Sequence, residues 1–153
     1  MPTASRIAAL ALAAAILTPL AAAAAAKPFG GVTGWNHSVS ATPTPALPRD
    51  QETWKAKNGE TFSVLSDGGL SYDDTIASIK KNFADNGMTP IEDKDRMCDG
   101  RRAHELELVI GPSVIHQIIV DDAPGVTKLS YTRVQGTPPA PSVATAITAY
   151  CGS

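Results

Sequence analysis

The chain has 153 residues, 13 Lys and Arg against 15 Asp and Glu, and a net charge of −2. So small a charge gives no case for nucleic acid or an anionic membrane as partner, since either needs a basic face. The length suits one compact domain and is too short for two.

Residues 1–26 read as a secretory signal peptide. Arg6 is followed by the uncharged run Ile7–Leu20, which Pro19 breaks, and the segment closes on Ala24-Ala25-Ala26 before Lys27-Pro28. A basic start, a short apolar helix, a break and small residues fit signal peptidase, so cleavage after Ala26 is expected. The alternative is an uncleaved anchor. Alanine contributes little to insertion and Pro19 interrupts the helix, which weighs against it. No cysteine near the cleavage point could carry a lipid, and a lone Arg6 does not match twin-arginine export. No other stretch approaches the roughly 18 apolar residues of a bilayer span, so no stable membrane insertion is expected after signal removal.

Removal of residues 1–26 takes Arg6 with it and leaves 127 residues, 12 basic and 15 acidic, a net of about −3. The expected location is the periplasm or the exterior of the cell. There, Cys98 and Cys151, the only two cysteines, admit one internal pairing and read as a disulfide closing a loop of 53 residues. The alternative, two free thiols, finds no support in a Cys-x-x-Cys or neighbouring His context.

Residues 27–52 read as an extended lead-in. Lys27–Gly34 is expected to be flexible, Trp35–Thr42 alternates well enough for a first strand, and Pro43–Pro48 reads as a connector because proline breaks ladders. The domain proper is expected over 53–153. Asn58-Gly59 between Thr53–Lys57 and Glu60–Leu65 predicts a hairpin with a type I′ turn. Ser71-Tyr72-Asp73-Asp74 opens a helix, with Ser71 as cap and the two acids against the positive end of its dipole. Tyr72, Ile76, Ile79 and Phe83 make its buried stripe, and Gly87 stops it. From Thr89 the period falls to two. Strands are expected over 89–97, 101–110, 114–121 and 126–134, joined by turns at Asp99-Gly100, Gly111-Pro112-Ser113 and Ala123-Pro124-Gly125. Pro141 then starts a last helix in which Val143, Ile147 and Tyr150 share a face. The predicted class is α+β, an antiparallel meandering sheet with one apolar face covered by two segregated helices and stapled by one disulfide.

This order resembles the PsbP-like family, the extrinsic photosystem subunit and bacterial envelope proteins of the same shape. The features that carry it are Gly34-Trp35 at a strand start, the Ser71–Asn86 helix after a hairpin, Cys98-Asp99-Gly100 leading into Ala103–Ile110, and Leu129–Arg133 before the last helix. It spans about 34–151 and brings no catalytic or ligand motif with it. Docking and accessory roles predominate in that family, so the resemblance implies binding.

Three histidines raise the question of a metal. With Gly111–Ser113 as a three-residue turn, Leu108 faces His116 and His104 faces Val120. His104 and His116 then share a face about four residues apart, roughly 13 Å. Zinc needs donors about 2 Å from one ion, so they are not co-ligands, and His37 has no placement. Glu92-Asp93-Lys94-Asp95 with Asp99-Gly100 misses calcium-loop spacing, since Met97 and Cys98 fall where a ligand and the glycine belong. Glu105 and Glu107 share a strand face and could act as acid and base, but an exposed polar face paired with Gln117 and Lys128 accounts for them. Asp121-Asp122 reads as turn chemistry, and Trp35 and Trp54 read as packing before a ligand platform. No nucleophile elbow, phosphate loop, dinucleotide fingerprint or zinc-protease motif is present. No catalytic, metal or cofactor residue is therefore assigned.

The expected function is a non-enzymatic binding or accessory module with a protein or small-molecule partner, using Trp35–Thr42 and the loops around Gly111 and Pro124. A small secreted hydrolase and an inhibitor or immunity-type protein are the alternatives. Secreted protein is expected to begin at Lys27 or within a few residues of it, by N-terminal mass analysis. Intact Met1–Ala26 on the mature protein would contradict the signal-peptide reading.

Overall fold

The computed structural model describes residues 27–44 and 47–152, so the signal peptide expected over 1–26 lies outside the described residues. Seven strands form one antiparallel sheet: β1 Asn36–Thr44, β2 Leu47–Lys55, β3 Thr61–Asp67, β4 Glu92–Cys98, β5 Arg101–Ile110, β6 Ser113–Asp122 and β7 Gly125–Val134. Helix α1, Tyr72–Asp85, follows β3, and α2, Pro141–Cys151, ends the described chain. The strand order is β1-β2-β3-β7-β6-β5-β4. After β3 the chain therefore crosses through α1 to the far edge, and β4 to β7 meander back until β7 pairs with β3.

Strand alternation makes two faces, and each helix takes one. Trp54, Phe62, Val64, Ala103, Ile118, Val120, Leu129 and Tyr131 pack with Val143, Ala146 and Tyr150 of α2. Leu106, Leu108, Ile119 and Val126 pack with Phe83 of α1, flanked by its Tyr72, Ile76 and Ile79. The expectation that both helices cover one face is thus corrected. Buried apolar residues stand on both sides of the sheet, Leu106, Leu108 and Ile119 on one and Ala103, Ile118 and Val120 on the other, so each face needs its own cover.

The helices form where their ends are satisfied. Ser71 Oγ accepts from Asp74 N at 3.4 Å, and Asp73 and Asp74 lie in the first turn of α1. Gly87, at φ 62°, turns the chain out, with Met88 N donating to Phe83 O at 2.9 Å. Pro141 opens α2 at a position where its missing N–H costs nothing.

The lead-in is not a flexible extension. Val32 is buried, and the Phe29 ring lies 5.0 Å from Phe62, 5.1 Å from Trp54 and 5.7 Å from Tyr150. The Pro43–Pro48 segment is also corrected. Pro43 pairs with Pro48 and Thr44 with Leu47, at the closed end of the β1–β2 hairpin. Pro43 is tolerated because β1 is an edge strand, and Pro48 because the pairing of β2 with β3 begins only at Arg49. The β2–β3 hairpin closes with a three-residue Lys57-Asn58-Gly59 loop instead of a two-residue turn. Lys55 pairs with Thr61, Ala56 N donates to Glu60 O at 2.9 Å, and Gly59 takes φ 91°. Where β7 begins, Gly125 has no alternative: a Cβ there would stand 2.0 Å from the Asp67 carbonyl oxygen.

The disulfide Cys98–Cys151 joins the end of β4 to the end of α2 across 53 residues. Asp99 N donates to Cys151 O at 2.6 Å, and Lys27 Nζ reaches Asp99 at 2.7 Å and Tyr150 O at 2.9 Å. Cys151→Ser is expected to lower the unfolding free energy by about 2–5 kcal/mol in urea titrations. Unchanged stability would show that the bridge does not restrain the chain.

Candidate functional site

The β5–β6 register decides where the titratable residues go. Ile110 pairs with Ser113, Glu107 with His116, and His104 with Ile119, so Gly111-Pro112 is a two-residue turn. This is one residue away from the expected pairing of Leu108 with His116, and a one-residue slip exchanges faces. His104 and His116 therefore lie on opposite faces of the sheet. Glu105 and Glu107 lie on the α2 face, while Gln117 and Lys128, expected as their partners, lie on the α1 face.

Under α2, a cleft of about 310 Å³ gathers Glu92, Arg96, Glu105, Glu107, His116 and Arg133 beneath Val143 and Ile147. His116 donates Nε2–H to Glu105 Oε1 at 2.6 Å. Arg96 Nη1 donates to the other Glu105 oxygen at 3.1 Å, and Lys94 Nζ lies 3.5 Å from it. Glu105 is only 8% exposed. Burial pushes its carboxyl up, but the His116 hydrogen bond and the charges of His116, Arg96 and Lys94 outweigh that and hold it below its ordinary value. Glu107 accepts from Arg133 Nη2 at 3.3 Å, and Arg133 Nη1 donates to Thr137 O at 2.8 Å. The Arg133 Nε is buried with no hydrogen-bond partner among the described residues. Tyr131 donates its hydroxyl to Glu60 at 2.8 Å and accepts Ala140 N at 3.0 Å. Burial first, then the Glu60 carboxylate, push the Tyr131 phenol up against the opposing Ala140 hydrogen bond and Arg133 charge.

On the other face, buried His104 bonds two carboxylates at once: Nε2 to Asp93 at 2.7 Å and Nδ1 to Asp95 at 2.7 Å. The two contacts tie edge strand β4 to β5. The hydrogen bond from His104 is the first cause that holds the Asp95 carboxyl below its ordinary value. Lys80 of α1 adds a cation 3.6 Å from Asp93.

The remaining candidates separate. His37 lies on edge strand β1, stacked 4.6 Å from Trp54 and bonded to Glu52 at 2.8 Å. Trp54 is buried, and Trp35 packs 6.3 Å from Tyr131, so both indoles are spent in packing. Asp122 is more than a turn residue: it pairs with Arg101 and accepts from Tyr150 at 3.3 Å. Asp121 holds Arg102 through Nε at 2.9 Å and Nη2 at 2.8 Å. Among the described residues no three His, Cys, Asp or Glu side chains converge to hold a metal ion.

Sequence reasoning missed Arg96, Lys94 and Arg133 as partners of the two glutamates. The signal was present for Lys94. The Asp99-Gly100 turn pairs Cys98 with Arg101, which sets Lys94 directly opposite Glu105.

Chemically, His116 and Glu105 form a base held by a carboxylate. No hydroxyl among the described residues bonds to His116: Tyr131 is engaged by Glu60, and Thr148 only lines the cleft. Each carboxylate in the centre of the cleft has its own cation.

Glu105, Asp95 and Asp99, the last lowered first by its Lys27 hydrogen bond, all have carboxyls held below their ordinary values. Their stabilisation is present above the ordinary carboxylate range of about 4 and is lost as pH falls through the lowered values. Urea unfolding from about pH 6 to about pH 2 is expected to show that decline. Glu105→Gln is expected to be destabilised near neutrality, with the difference from the parent shrinking towards the acid end. A difference independent of pH would overturn the ion-pair account of Glu105.

Comparison with protein-family models, curated proteins and solved structures finds no match to this chain.

Proposed function

We propose that this protein is an exported, non-enzymatic binding or accessory module of the periplasm or cell exterior. The observation that carries the reading is the mutual neutralisation of the α2 cleft. Glu105 is occupied by His116, Arg96 and Lys94, and Glu107 by Arg133, so the side chains best suited to chemistry are engaged in tying β4, β5, β6 and β7 to one another beneath α2. The disulfide suits an oxidising compartment. Among the described residues no helix is long and apolar enough to cross a membrane. The resemblance to the PsbP-like family rests on element order and favours docking. The contact surface is then the end of the sheet at the Gly111-Pro112 turn, where Val109, Ile110 and Val134 are 39%, 47% and 53% exposed.

A small secreted hydrolase is the second reading, favoured by one observation: the His116–Glu105 pair opens on a concave cleft.

One experiment separates them. Oxidised mature protein carrying Ile110→Asp or His116→Ala is used to capture partners from envelope extract, and each variant is tested for rescue of a deletion phenotype. Under the binding reading Ile110→Asp loses both capture and rescue while His116→Ala keeps both. A folded His116→Ala variant that still captures its partner yet fails to rescue would overturn that reading in favour of the hydrolase.

A further inference from the structure

The α1 face of the sheet carries a second surface that the cleft does not use. Between α1 and strands β6 and β7 runs a groove of about 380 Å³. One wall is the polar stripe Asp74, Ser78 and Asn82, each four residues from the next and so on one side of the helix. Gln117 and Lys128 form the opposite wall, and Ile79 and Phe83 form an apolar floor. The arrangement is notable for what it leaves unused. Among the described residues, the Asp74 carboxylate, Ser78 hydroxyl, Asn82 amide and Lys128 ammonium make no hydrogen bond or ion pair with the protein. By contrast the α2 cleft spends almost every polar group internally.

The groove does not end at Gln117. Cross-strand pairing sets Gln117 opposite Ser130, Ser130 opposite Ser63, Ser63 opposite Thr53, and Thr53 opposite Ser38. Since paired residues share a face, these five form one row of hydroxyl and amide groups across five strands. At about 4.8 Å per strand the row is about 19 Å long. It holds no charge and no large apolar side chain, and all five residues are at least partly exposed.

We propose that this groove and row bind an uncharged glycan chain. Sugar hydroxyls both donate and accept hydrogen bonds, as do Ser, Thr, Asn and Gln, so a neutral row of such groups is complementary to a polyol. The Asp74 carboxylate can accept from two neighbouring hydroxyls while Lys128 donates, and their opposite charges leave the groove near neutrality. The Ile79–Phe83 floor receives the C–H face of a sugar ring. An extended peptide fits less well, since its recognition draws on backbone pairing at a strand edge and the row lies on a face. The proposal goes beyond the docking reading and uses a different surface from the Gly111 turn.

The test is calorimetric titration of the oxidised mature protein with chitohexaose, cellohexaose and maltohexaose, and with a neutral Ser/Gly hexapeptide. The expected result is binding of at least one hexasaccharide with Kd below about 1 mM. Affinity should fall tenfold or more in Asn82→Ala and Gln117→Ala, while His116→Ala binds as the parent does. Circular dichroism shows that each variant is folded, and Ser63→Val supplies a row variant if either groove variant is not. Absence of binding to all three sugars overturns the proposal, as does binding that survives the groove and row substitutions or is matched by the hexapeptide. Failure here with protein capture intact leaves the docking reading standing.

Discussion

The two-residue turn at Gly111-Pro112 decides which side chain meets which helix. In an antiparallel pair the faces alternate residue by residue, so turn length sets the parity of everything on β5 and β6. With Ile110 opposite Ser113, His116 and Glu105 are delivered to α2, and Ile119 joins Leu106 and Leu108 under α1. One residue more in the turn would send the β6 set to the other side. His116 would then lose Glu105, and the buried carboxylate would be left to Arg96 and Lys94 of β4 alone.

That parity makes the sheet a partition between two electrostatic systems. On one side Glu105 and Glu107 are answered by His116, Arg96, Lys94 and Arg133. On the other, His104 is answered by Asp93 and Asp95. Buried ion pairs add little net stability over apolar side chains of the same shape, but breaking one leaves an uncompensated charge at high cost. Their contribution here is to specificity of register: a slipped β4 or β6 would strand a charge in an apolar layer. The disulfide acts at the same corner, holding α2 against the end of β4 where the chain reverses at Asp99-Gly100.

Much of this was legible in the sequence. The α1 stripe, its Ser71 cap, the Pro141 start of α2 and the span of β5 follow from periodicity and turn chemistry, which are local properties. The disulfide followed from cysteine count and expected address. The parity of β6 did not, because Gly111-Pro112-Ser113 reads equally as a turn of two residues or three, and only long-range packing chooses. The lead-in was misread for a related reason. Its prolines and glycines argue against regular structure locally, yet Phe29 and Val32 are recruited by an aromatic cluster formed from Trp54, Phe62 and Tyr150 far along the chain. The polar row was invisible because its five residues come from five strands, and none is distinctive alone.

The sheet has two edges, β1 and β4, and they are not equivalent. Along β4, Asp93, Lys94, Asp95 and Arg96 are turned onto β5 in ion pairs, so a further strand laid beside them would meet charge already committed inward. Along β1 the side chains of Ser38, Val39 and Ser40 are small or apolar, and Val39 is 63% exposed. Addition of a strand is therefore disfavoured along β4, and β1 is the edge without such charges. The ion-paired charges of β4 thus guard one side of the sheet, on the strand that the disulfide anchors.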